Sequence, residues 1–123
     1  MPFAFWCILI AALLPLVWTG VAKAGTRYDN RTPRVSLEQG TGYHQRANWA
    51  QQNAWEAFGP FAAAVIVAYL MKVSAAKLDT AAMVFIIARV AHGLCYLANQ
   101  ATLRSLCWLV GLIMVIYLFI AAA

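Results

Sequence analysis

Four apolar runs, each close to the length that crosses a bilayer, leave this 123-residue chain little freedom of fold. A helical span needs about 20 mostly apolar residues. Phe3–Ala22, Ala57–Val73, Leu78–Ala98 and Thr102–Ala121 meet or nearly meet that requirement. In hydrocarbon every backbone N–H and C=O must be satisfied within the segment, which favours helices for runs of this length. With 64% hydrophobic residues, 11% charged residues and a mean hydropathy of +0.72, the chain reads as an all-α integral membrane protein. We expect one domain over residues 1–123, a four-transmembrane-helix bundle, with residues 23–56 forming a cytoplasmic loop and helix extension.

The nine Lys and Arg residues against four Asp and Glu give a net charge of +5. Most of them flank the apolar runs, and they are not interleaved with aromatics in one basic cluster, so nucleic acid is not an expected partner. Lys23, Arg27, Arg31, Arg34 and Arg46 fall between the first two spans, and Arg104 falls between the last two. Only Lys72 and Lys77 lie between spans two and three. The positive-inside rule then places the first and third connections in the cytoplasm and both termini outside it. The "VAKAG" stretch offers an Ala-x-Ala pattern, but no Lys or Arg precedes the first run, which is read as a span and not as a cleaved signal. Cys7, Cys95 and Cys107 have no metal-ligand spacing and are odd in number, so neither a metal site nor a disulfide framework is expected.

The connection between spans one and two divides in two. Asp29-Asn30 and Pro33 read as a turn. From Thr41 the pattern becomes helical and runs into span two, which predicts a helix of about 33 residues, about 50 Å long, that projects beyond a hydrocarbon core of about 30 Å. Pro60 is expected to loosen or kink it.

Polar side chains are concentrated in "ARVAHGLCYLANQATLRS", Ala88–Ser105. Arg89, His92 and Tyr96 stand at i, i+3 and i+7, on one face of span three. Arg46, Asn53 and Glu56 stand at i, i+7 and i+10, on one face of the long helix. An arginine near mid-bilayer costs about 2.5–3.5 kcal/mol on insertion scales. Glu56 is the carboxylate nearest it in depth, so an Arg89–Glu56 pair is one expectation and a direct ligand role for Arg89 another. His92 reads either as an interhelical hydrogen-bonding residue or as part of a pocket; Tyr96 and Arg104 read either as interfacial and topogenic residues or as pocket members. Together these groups describe a cationic, donor-rich pocket suited to a small anionic ligand.

The motif "RxxHxxxYLANxxTLRS" at Arg89–Ser105, the spacing "RxxxxxxNxxE" from Arg46 to Glu56 followed by Pro60-Phe61, and "YDNRTPR" at Tyr28–Arg34 resemble the membrane-associated proteins in eicosanoid and glutathione metabolism, in particular bacterial members. The resemblance implies a homotrimer with glutathione as co-substrate bound between subunits toward the cytoplasm. Arg89, His92, Tyr96 and Arg104 would line one wall, and Asn53 and Glu56 the other. Arg104, with Ser105 donating a hydrogen bond, would hold the thiolate, and Arg46 and Arg89 would neutralise carboxylates, while a lipophilic small-molecule substrate enters from the lipid bilayer. The implied activity is a membrane-bound glutathione transferase or peroxidase acting on lipophilic electrophiles or hydroperoxides, and the implied location is the bacterial inner membrane. The chain departs from relatives at Trp49, where many have arginine, at Gln52, where some eukaryotic members have arginine, and at Trp108, where some have tyrosine. A non-catalytic subunit of the same fold is the alternative. A small multidrug exporter fits less well, because the first span lacks the carboxylate such a machine carries.

Overall fold

A computed structural model describes residues 1–123 and contains five helices and no strand. They are α1 (Phe3–Lys23), α2 (Pro33–Glu38), α3 (Gly42–Leu70), α4 (Ala75–Leu97) and α5 (Ala101–Ala122). All but α2 are long and apolar enough to cross a membrane. The protein is an integral membrane four-helix bundle.

Small residues set the packing. Lipid chains are as apolar as leucine, so helix association depends on close approach and polar contacts more than on hydrophobic burial. The main core accordingly contains Ala4 and Ala11 of α1, Ala64 and Ala68 of α3, and Ala81 and Ala82 of α4, closed by Phe61, Phe85, Val115 and Leu118. Large apolar residues turn outward instead, including Leu13, Leu16, Leu109 and Ile113. α3 is central and packs against every other helix; α1 lies chiefly against α3, and α5 chiefly against α4. At the end away from the α1–α3 connection, the Ala4 N–H donates to Asp79 Oδ1 at 3.2 Å, tying the start of α1 to the second turn of α4.

The extended helix of the first connection is present, at 29 residues, and continues through Pro60, which has no N–H for the Glu56 carbonyl. It stops at Leu70, short of the expected Val73. The stop is a Schellman motif: Lys72 adopts φ +60°, its N–H donates to the Tyr69 carbonyl, and the Val73 N–H donates to Ala68. α4 ends the same way at Asn99, φ +57°, with the Asn99 N–H on Tyr96 and the Gln100 N–H on Cys95. Asparagine tolerates that conformation, but lysine does so at a cost of about 1–2 kcal/mol. Lys72→Gly is therefore expected to raise the thermal midpoint of the detergent-solubilised protein, by the equivalent of up to about 1 kcal/mol after glycine's own entropy cost.

The connection also departs from the turn expected at its front. The turn is confined to Asp29–Thr32, and Pro33 opens α2, where its fixed φ suits a first helical position and its missing N–H is not needed. The Ser36 hydroxyl fastens that helix back: it accepts from the Asp29 N–H at 3.1 Å and donates to the Asp29 carbonyl at 3.2 Å. The Arg31 N–H and guanidinium both donate to the Asp29 carboxylate, which holds its pKa below the usual carboxylate range, the backbone bond being the larger cause. Because the folded pKa is depressed, this contribution is complete above the unfolded value, about 3.9, and is lost as the pH falls through the folded one. Protection of the Arg31 amide against hydrogen exchange is expected to hold at neutral pH and fall only in that acid window.

Candidate functional site

Arg89 is carried inward by α4 and is only 4% exposed. Its Nη2 donates to Asn53 Oδ1 of α3 at 2.6 Å, a charge-assisted bond between neighbouring helices. The expected ion pair with Glu56 does not form, since the single salt bridge of the chain is Arg31–Asp29. Azimuth decides this more than depth. Glu56 and Asn53 are one turn apart, about 60° around the helix; Asn53 turns toward α4 while the Glu56 side is exposed. Glu56 nonetheless shares a cleft with the pair. That cleft, about 200 Å³, is bounded by Asn53, Glu56 and Pro60 of α3, Phe85 and Arg89 of α4, and Trp108, Gly111 and Leu112 of α5. Gly111 faces the cleft at close range: a methyl group there would be in ordinary van der Waals contact with the Arg89 Cδ and the Phe85 ring.

A second group lies at the adjoining helix ends, about 12 Å further along α4 than Arg89 at 1.5 Å per residue. The Arg104 guanidinium carbon stands 4.5 Å from the centroid of the Tyr96 ring, a cation–π contact made across the α4–α5 turn. His92 meets Tyr96 edge-on at 5.5 Å, and Trp49 approaches the same ring at 6.4 Å. Arg46 Nη2 donates at 3.1 Å to the carbonyl of Leu97, the last residue of α4, where a cation also complements the helix dipole. Its Nε is buried without a partner. An unmet buried donor of this kind costs about 1–3 kcal/mol.

The residues singled out in the sequence thus fall into two neighbouring sets, Arg89, Asn53 and Glu56 in the cleft, and Arg46, His92, Tyr96 and Arg104 at the helix ends. The reading of His92 as an interhelical hydrogen-bonding residue is corrected: it is 3% exposed, makes no hydrogen bond and packs through its ring. The imidazole meets the Tyr96 ring edge-on instead of turning a nitrogen to a group on a neighbouring helix. Ser105 is exposed and bonds to no side chain. Phe85, Gly111 and Leu112 were not legible as cleft residues, although Trp108 and Gly111, at i and i+3, carry a signal that they share a face of α5. Three guanidinium groups and one carboxylate within two adjoining sets give an excess of positive charge and of directed N–H donors. Such an arrangement can take up a polyanionic small molecule and stabilise a thiolate.

The model of the MAPEG family covers residues 3–123, nearly the whole chain. No curated protein matches the chain. No solved structure matches it either.

Proposed function

The chain belongs to the MAPEG family, whose members are membrane proteins of glutathione and eicosanoid metabolism, and from that premise we propose that it is a glutathione-dependent enzyme acting on lipophilic electrophiles or hydroperoxides. The observation that carries the reading is the Arg104 guanidinium seated on the Tyr96 ring, with Arg46, whose Nε has no protein partner, bound to the carbonyl of the next residue, Leu97. A free thiol ionises near pH 8.5, and a guanidinium beside it favours the thiolate, so more nucleophile is present at neutral pH. In this reading Arg104 holds the thiolate, with Ser105 available at the next position of α5. Arg46 and Arg89 neutralise the two carboxylates of glutathione, Asn53 orients Arg89, and Glu56 receives the glutathione amino group. His92 and Tyr96 form the wall that keeps Arg104 in place. The thiolate then attacks a substrate that reaches the cleft from the bilayer. At an electrophilic carbon it forms a thioether as the leaving group departs or the adduct takes up a proton. At a peroxide oxygen it breaks the O–O bond, releasing the alcohol after protonation and leaving a glutathione sulfenic acid that a second glutathione converts to the disulfide with loss of water.

The same reading assembles three chains, with glutathione between neighbours; the exposed side of Glu56 is consistent with a group completed by a second subunit. Positive charge on the first and third connections supports a site facing the cytoplasm and both termini outside it, and the likeness of Tyr28–Arg34 to bacterial members supports residence in a bacterial inner membrane.

Glutathione binding to the detergent-purified protein, read together with thiolate absorbance at neutral pH, tests the proposal. Saturable binding is expected, with a thiolate signal that falls about tenfold in Arg104→Ala, equivalent to one pKa unit. Arg104→Lys is expected to retain part of it, since a charge without the planar fork remains. No binding to the folded parent at millimolar glutathione would leave a non-catalytic subunit of the same fold.

A further inference from the structure

On the side of α3 away from the cleft, a larger polar cavity of about 590 Å³ lies between the end of α1, α2 and the first half of α3. Lys23 and Arg34 bring positive charge to its wall and Glu38 brings negative charge, yet neither cation lies within ion-pairing distance of that carboxylate, since Arg31–Asp29 is the chain's sole salt bridge. Lys23 rests instead over the Tyr28 ring, with Nζ 4.3 Å from its centroid, which fixes the ammonium on the cavity wall without neutralising it. Gln51 and Gln52 add amides, and Trp55 adds an aromatic ring to the lining. Unpaired charges of both signs around one opening suit a ligand that itself carries both signs and bridges them.

Position narrows the ligand further. Thr19 and Lys23 bring the cavity to the last turn of the first span, and below it Leu9, Leu13 and Leu16 of α1 are all about half exposed. Their i, i+4, i+7 spacing forms one apolar stripe that runs toward Lys23. A polar cavity opening at a helix end, continued by an apolar stripe, has the layout of a phospholipid, headgroup above and chains below. Lysine and tryptophan at such a level are the usual interfacial anchors.

We propose that this cavity binds the phosphoethanolamine headgroup of a membrane phospholipid. Lys23 and Arg34 take the phosphate, Glu38 takes the primary ammonium, and the acyl chains lie along the leucine stripe. The carboxylate makes the site selective. A phosphocholine ammonium has no N–H to donate to Glu38, and a phosphoglycerol headgroup brings no cation to it.

The test is native mass spectrometry of the delipidated, detergent-purified protein with phosphatidylethanolamine, phosphatidylcholine and phosphatidylglycerol of identical chains. Phosphatidylethanolamine is expected to be retained about tenfold over phosphatidylcholine, the ratio that one charge-assisted hydrogen bond produces. Glu38→Gln, at an exposed position, is expected to abolish that preference and to raise retention of phosphatidylglycerol. Lys23→Ala with Arg34→Ala is expected to lower retention of all three, with an unchanged thermal midpoint as the folding control. Equal retention of the three lipids by the parent would overturn the proposal, as would an unaltered preference in Glu38→Gln. Displacement of the lipid by millimolar glycerophosphoethanolamine would overturn the lipid assignment in favour of the soluble headgroup compound.

Discussion

Replacement of Gly93 by leucine is expected to be the most damaging single change in the bundle. Gly93 lies on α4 where the Trp18 indole of α1 crosses it, and a methyl group at its Cα would coincide with the six-membered ring. Trp18 is itself only 5% exposed and belongs to a small core with Leu14, Ala50 and Ala54. The ring therefore has no free volume to move into. Overpacking of a well-filled core costs about 1–3 kcal/mol and occasionally more, and here both the ring and the α1–α4 spacing would have to shift. Gly93→Ala should lower the thermal midpoint measurably, and Gly93→Leu should leave little folded protein after detergent extraction. Trp18→Ala removes the obstacle, so Gly93→Leu in that background is expected to cost far less than it does alone. Strict additivity of the two changes would show that the indole is not what Gly93 accommodates.

Loss of the Asn53 side chain is expected to have the second largest effect, through the charge it leaves behind. In Asn53→Leu the buried Arg89 guanidinium loses its 2.6 Å acceptor, and a hydrogen bond to a charged group contributes about 1.5–3 kcal/mol. A comparable loss of stability is expected, read as the thermal midpoint in detergent. Arg89→Met combined with Asn53→Leu removes both the charge and its partner, and apolar replacement of a whole buried polar pair is often neutral. The double variant should therefore be more stable than Asn53→Leu alone and, under the proposed function, should not bind glutathione. An equally unstable double variant would mean that Arg89 contributes packing through its stem, with the hydrogen bond secondary.

The spans were readable because apolar length is a property of consecutive residues, and a bilayer imposes it independently of partners. The long α3 was readable for a related reason: its helical pattern starts well before its apolar run and does not pause. α2 was missed because Pro33 serves equally well in a turn and at a helix start, and the Ser36 hydroxyl that decides between them acts seven residues away on Asp29. For the site, helical spacing identified which residues share a face, so Arg89 and Asn53 were both on the page. Which of Asn53 and Glu56 Arg89 would reach depended on the rotation of α3 about its axis, which a single helix's sequence does not encode. His92 carried a similar ambiguity, because the same side chain can turn a nitrogen or a ring face to its neighbour. The share of α5 in the cleft depends on helix order in space and was legible only through the modest Trp108–Gly111 spacing.

The central place of α3 also bears on how the chain enters a membrane during synthesis. It is the least apolar of the four spans, yet it touches all the others and carries Asn53 and Glu56 into the bilayer region. The group that satisfies Asn53, Arg89, lies on α4 and emerges from the ribosome later. A nascent chain that ends after α3 therefore exposes polar side chains that have no partner. Release of α4 supplies the partner of Asn53, and the 2.6 Å bond then shields both Asn53 and Arg89. The Asn53–Arg89 bond of the cleft can therefore form only after α4 has followed α3 out of the ribosome.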